Sequence, residues 1–118
     1  MTNTKKSKIY RCPVEVTIAV IGGKWKSLIL YYLIETPIMR FNEFRRTLPD
    51  VTAQMLTAQL RELEADGVIH RNVYQQVPPK VEYSLTDFGK TLIPVISIMV
   101  SWGESYAAQS GVRIELKK

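Results

Sequence analysis

The stretch Val51-Thr52-Ala53-Gln54-Met55-Leu56-Thr57-Ala58-Gln59-Leu60-Arg61-Glu62-Leu63-Glu64-Ala65-Asp66-Gly67 reads as one helix, with Thr52 placed to cap its first turn and Gly67 to stop it. Successive residues turn by about 100° round a helix. Leu56, Leu60 and Leu63 therefore share one side, and Gln54, Thr57, Ala58 and Arg61 the other. One side packs and the other is presented. A merely solvated face usually carries Lys and Glu, whereas this one carries an amide, a hydroxyl, a guanidinium and a methyl group, with no acid before Glu62. Those groups read base edges: Gln toward adenine, Arg toward guanine, and Ala or Thr against the thymine methyl. Glu62, Glu64 and Asp66 near the C-terminal end oppose the helix dipole, so helix stability does not dictate the pattern. Repulsion between phosphates and an acidic first half would. Taken alone, the segment also fits an ordinary amphipathic helix with a solvated face.

The flanking segments favour the first reading. Upstream, Asn42 can cap a short helix in which Phe41, Phe44 and Leu48 point inward, Arg45 and Arg46 point outward, and Pro49 limits the length. The three or four residues around Pro49 to Thr52 then make the tight connection of a helix-turn-helix. Downstream, Val68 to Gln75 and Val81 to Leu85 favour strands and flank Gln76-Val77-Pro78-Pro79-Lys80, a hairpin whose two prolines stiffen its tip. Helix, turn, helix and two-stranded wing is the winged-helix plan, mainly α with a small β-hairpin. In it the second helix enters a major groove and the wing approaches the neighbouring backbone or minor groove.

Working further outward, Pro13 opens a first helix with Val14, Ile18 and Ile21 at helical spacing before Gly22-Gly23. Trp25, Leu28, Ile29, Tyr32 and Leu33 mark a second helix from Lys24 to Glu35, ended before Pro37. Lys24 and Lys26 stand at its start, where the dipole disfavours positive charge, so their placement needs another reason. Thr86 should cap a last helix from Asp87 to Ala108, kinked at Pro94. Its apolar residues cover more than one face, and the excess should meet a second protomer. Trp25, Tyr32, Trp102 and Tyr106 fit core packing better than a ligand cavity between helices.

With 118 residues and 46% of them apolar, the chain suits one folded domain. Its net charge of +5 is uneven. Residues 1–61 hold ten Lys/Arg against four Asp/Glu and the remainder six against seven, so one surface suits an anionic partner, nucleic acid ahead of membrane. The single cysteine, Cys12, excludes an internal disulfide. His70 has no neighbouring His or Cys in sequence, so no metal site is expected. No cofactor, catalytic constellation or phosphate loop is legible, which argues against an enzyme. The basic start lacks a signal-peptide core and no apolar run spans a bilayer, so a cytoplasmic protein without a membrane partner is expected.

The chain also resembles the HxlR-type winged-helix transcriptional regulators, relatives of the MarR type. The resemblance is carried by Cys12-Pro13-Val14, Ile21-Gly22-Gly23-Lys24-Trp25-Lys26, Arg40-Phe41-Asn42-Glu43, Met55-Leu56-Thr57, Leu60-Arg61-Glu62-Leu63-Glu64, Asp66-Gly67, Val77 to Thr86 and Trp102-Gly103. It implies a homodimer built mainly from the first and last helices, acting on a roughly palindromic DNA operator; the resembled family holds both repressors and activators, and a repressor is the better expectation. Val14, Ile18, Ile96, Met99, Val100, Trp102 and Tyr106 are the contact candidates for that dimer. The domain bounds are then a basic flexible tail over residues 1–11, the DNA-binding and dimerisation domain over 12–110, and a tail over 111–118.

Within that frame Gln54, Thr57, Ala58 and Arg61 are the base-reading candidates, with phosphate an equal option for Arg61. Lys24, Lys26, Arg45, Arg46, Gln76 and Lys80 are the backbone candidates. Cys12 stands at a helix start beside Arg11, a setting that suits an anionic thiolate. Some members of the resembled family sense oxidants or electrophiles at the corresponding position, although a free cysteine can equally be a small buried hydrophobe. The sequence names no small-molecule effector. A different class of function, a winged helix that contacts proteins instead of DNA, remains the alternative.

Overall fold

A computed structural model describes residues 4–115, and the outermost residues of the two expected tails, 1–3 and 116–118, lie outside that range. Among the described residues α1 spans Pro13–Ile21, α2 Lys26–Glu35, α3 Phe41–Thr47, α4 Ala53–Ala65 and α5 Ile93–Ser110. Strands β1, Ile69–Tyr74, and β2, Lys80–Leu85, form the hairpin between α4 and α5. The fold is a winged helix-turn-helix. No single helix among the described residues is long and apolar enough to cross a membrane.

The core forms around α2, whose Ile29, Leu30 and Leu33 are buried and which touches α1, α4, α5 and β2. Phe44 of α3, Leu56, Leu60 and Leu63 of α4, Val68 and Ile69 at the wing root, Tyr83 of β2 and Ile96 of α5 complete it. Each fully buried side chain of this size contributes about 1.5–3 kcal/mol relative to an exposed one. The inward stripe of α2 differs from the one expected: Trp25, Lys26, Ile29, Leu30 and Leu33 are buried, while Leu28 is exposed and Tyr32 half-buried. The helix begins two residues later than its sequence suggests, after Gly23 at φ 82°, and the stripe runs from Lys26 at spacings of three, four and seven.

Other differences are local and have local causes. The cap of α3 is Arg40 rather than Asn42, because Glu43 reaches back three residues and its carboxylate accepts the Arg40 N–H at 2.9 Å. Leu48 and Val51, both buried, plug the turn into α4. Thr52 caps α4 as expected, its Oγ1 accepting the Met55 N–H at 3.1 Å. At the other end Gly67, φ 77°, lets the chain reverse. The Val68 N–H then donates to the Leu63 carbonyl at 3.1 Å and the Gly67 N–H to the Glu64 carbonyl at 3.0 Å.

The hairpin pairs from Ile69 with Leu85 to Tyr74 with Lys80. The far edge of β2 is occupied too: Met39 and Tyr83 exchange backbone hydrogen bonds of 3.0 and 2.8 Å. Thr86 ties the end of α4 to the segment leading into α5, its Oγ1 donating to the Gly67 carbonyl at 2.6 Å and accepting the Gly89 N–H at 2.8 Å. A Cβ at position 89 would stand 1.9 Å from the Val68 carbonyl oxygen, so only glycine fits there. Thr86 therefore precedes a 3-10 turn, Gly89–Leu92, and α5 starts only at Ile93. Pro94 falls in the first turn of α5, where its missing N–H costs no hydrogen bond, and not in the helix interior where a kink was expected. In the basic N-terminal segment, Thr4–Ser7 forms a 3-10 turn whose Lys5 ammonium lies 3.1 Å from Asp66, the C-cap of α4.

Candidate nucleic-acid interface

The leucine stripe of α4 fixes what the helix can present. With Leu56, Leu60 and Leu63 turned into the core, Gln54, Ala58 and Arg61 are exposed and Thr57 is half-buried. Together with Ala53 they line a shallow groove along the helix. Arg45 and Arg46 are exposed on α3, Gln76 is exposed at the wing tip, and Lys80 is half-buried at the start of β2. The Lys80 ammonium sits 4.6 Å from the Tyr74 ring centre and 3.9 Å from the Glu82 carboxylate, so the wing steadies it. Lys24 is likewise held over a ring, 4.8 Å from that of Trp25.

Lys26 does not belong with these. Only 6% of it is exposed, and its ammonium donates to Glu62 Oε1 at 2.6 Å, so the lysine expected to touch phosphate is spent inside the protein. Arg71, by contrast, was not among the sequence candidates. It is exposed on β1 and lines, with Phe41, Thr57, Leu60, Arg61, Glu64 and Tyr83, a hollow of about 360 Å³ between α3, α4 and the hairpin. The available signal was a basic residue in a wing strand, three positions after Val68.

A second surface lies on α1 and α5. Val14, Ile18, Met99, Trp102 and Tyr106 are exposed, Val100 is half-buried, and Trp102 stacks on Tyr106 with ring centres 5.4 Å apart. Trp102 and Tyr106 are thus not core residues, although Trp25 is. Ile96 must be withdrawn from this surface: at 3% exposure it packs into the protomer's own core. Between α2, α5 and residues 112–114 runs an apolar groove of about 670 Å³ that includes Leu28, Tyr31, Met99 and Ile114. Burial, with Glu35 nearby, pushes the Tyr31 hydroxyl above its usual pKa.

Cys12 is exposed at the N-cap of α1 and makes no side-chain hydrogen bond to the helix. Arg11, expected to attend it, is committed to Glu15: its backbone N–H, Nε and Nη2 donate to that carboxylate at 2.6, 3.0 and 2.8 Å. Those bonds, side chain first, hold the Glu15 carboxyl below its usual value. No group of three or more His, Cys, Asp or Glu among the described residues could hold a metal ion.

A ridge of Gln54, Thr57, Ala58 and Arg61 on the second helix of a helix-turn-helix, flanked by arginines and a wing, is the arrangement of a DNA-binding protein. The family model described as HxlR-like helix-turn-helix matches residues 20–111. The chain belongs to the HxlR family. It is 66% identical over 95 residues to the Bacillus subtilis HTH-type transcriptional regulator YdeP, covering 80% of this chain and 73% of that one. Among solved structures, the redox regulator HypR in its oxidised form aligns at TM-score 0.76 and 64% identity, covering 80% of this chain and 96% of that one. Its reduced form aligns at 0.77 and 63%, covering 80% and 92%. This HxlR-family protein is accordingly a transcriptional regulator with a helix-turn-helix DNA-binding fold.

Proposed function

We propose that the protein acts as a homodimeric repressor on a roughly two-fold symmetric operator, with α4 of each protomer in successive major grooves. The observation that carries this reading is the exposed set Gln54, Ala58 and Arg61, with half-buried Thr57 among them, on a helix whose other side is locked by three leucines. Arg45, Arg46 and Lys24 position the duplex through phosphates, and Gln76, Lys80 and Arg71 do so from the wing. The apolar surface of α1 and α5 supplies the dimer contact. A winged helix used only for protein contacts has no need of base-reading groups inside a basic rim.

Redox or electrophile control is part of the proposal, resting on the exposed thiol of Cys12 and on the likeness to a protein described as a redox regulator. Because the sequence holds one cysteine, an oxidised disulfide form must join Cys12 to a thiol outside its own chain. Modification at the head of α1 would shift the dimer helices and so the spacing of the two reading helices.

The test is binding of the purified protein to a duplex it has itself enriched from a random pool, against a scrambled duplex, over a series of salt concentrations, with and without a thiol oxidant. A preference of about a thousandfold or more, with steep salt dependence, supports a sequence-specific regulator. No enrichment, or equal affinity for both duplexes, sinks the reading and favours the protein-contact class. Oxidant should change the affinity of the parent and not of Cys12→Ser; an unchanged parent removes the sensing element alone.

A further inference from the structure

The Lys26–Glu62 pair joins a lysine buried in the core to the outer border of α4. The two residues are 36 positions apart, and their side chains are 8% and 47% exposed. Lys26 comes from the first turn of α2 in the centre of the core, whereas Glu62 stands on α4 one turn after Ala58, immediately following Arg61. Helical geometry sets Glu62 about 100° round from Arg61 and about 40° from Ala58, at the border between the presented and the buried sides.

That border position matters mechanically. Apolar contacts of Leu56, Leu60 and Leu63 hold the helix on the core, yet such contacts are non-directional and tolerate some rotation about the helix axis. A charge-assisted hydrogen bond of 2.6 Å from a lysine anchored in the core is directional and does not. Opposing roll at the other border, α4 meets β1 and the hollow that holds Glu64 and Arg71. The pair also has an electrostatic effect. Glu62 is the first acid of α4, and a paired ammonium weakens the repulsion it exerts on phosphate near Ala58 and Arg61.

We infer that Lys26 and Glu62 are positioning residues for DNA reading: the pair fixes the roll of α4 so that Gln54, Ala58 and Arg61 address the base edges together. The inference rests on the DNA-reading role proposed above for α4. It gives the buried lysine at the start of α2 the reason that helix stability does not supply.

The test uses the full chain, the operator duplex enriched by the parent and the scrambled duplex, with Lys26→Met, Glu62→Gln and the double variant. Each single variant leaves one partner uncompensated and lowers the melting temperature, whereas the double variant, with neither charge, regains most of it. Affinity should divide differently. The double variant, folded and of unchanged net charge, should bind the scrambled duplex as the parent does but lose about tenfold in operator preference, an interaction of the size found for coupled neighbours. Parent-like operator preference in the double variant overturns the inference, as does an equal loss on both duplexes. A single variant that does not fold leaves that comparison intact. A parent that enriches no duplex overturns the reading of α4 as a DNA helix, and is distinguishable from failure of the pair alone.

Discussion

The two halves of this molecule treat apolar residues differently. Around α2, α4 and the wing root the large side chains are enclosed: Phe44, Leu56 and Leu63 have no exposed surface. Along α1 and α5 the same kind of residue stands open, with Trp102 at 67% and Val14 at 64% exposure. The first half completes itself within one chain and carries polar and cationic groups on its outside. The second half finishes in an apolar surface of a sort that monomers seldom leave uncovered. On the proposed function the first half reads and the second assembles, and each half should fail in its own way when altered.

The largest effect is expected where the enclosed half is hollowed out. Leu60→Ala should cost about 2–5 kcal/mol of unfolding free energy, measured by denaturant titration, because Leu60 is buried in the core beneath α4. A cost below about 1 kcal/mol would show that the stripe holds α4 loosely. Next comes the open half. Trp102→Glu should leave melting of the protomer nearly unchanged but shift sedimentation from dimer to monomer. It should lower operator affinity by about a hundredfold or more, since two linked half-sites become one. Unchanged sedimentation would remove α5 from the proposed interface. Smallest is Arg61→Ala, expected to cost about 1–3 kcal/mol of operator binding if the guanidinium reads a base. Equal loss on operator and scrambled duplexes would assign Arg61 to phosphate instead.

Legibility followed the same division. The ridge of α4 was readable because its cap Thr52, its stop Gly67 and its leucine stripe are local signals, and the hairpin because strand-forming residues flank two prolines. Lys26 was not readable as buried. A lysine at a helix start is normally solvated, and the partner that changes this lies 36 residues away, although its place in the stripe with Ile29, Leu30 and Leu33 was a signal. Ile96 was misassigned for a related reason: α5 is apolar nearly all round, so periodicity could not say which face meets α2. Pro94 reads as interior only because the 3-10 turn and α5 are continuous in sequence pattern. Arg40 displaced Asn42 because the deciding group, the Glu43 carboxylate, lies downstream of both.

The backbone exchange between Met39 and Tyr83 has a consequence for how copies of this protein tolerate one another at high concentration. A lone two-stranded ribbon offers two open edges, each able to recruit a foreign strand. Here the edge of β2 is taken at its middle, at Tyr83, by Met39, and the edge of β1 is the one where His70, Arg71 and Asn72 are exposed. Beyond β1 lie Pro78 and Pro79, which have no N–H to lend to an added strand. The wing can thus extend from the domain body and still resist ribbon-to-ribbon stacking, which leaves the apolar surface of α1 and α5 as the proposed place where copies meet.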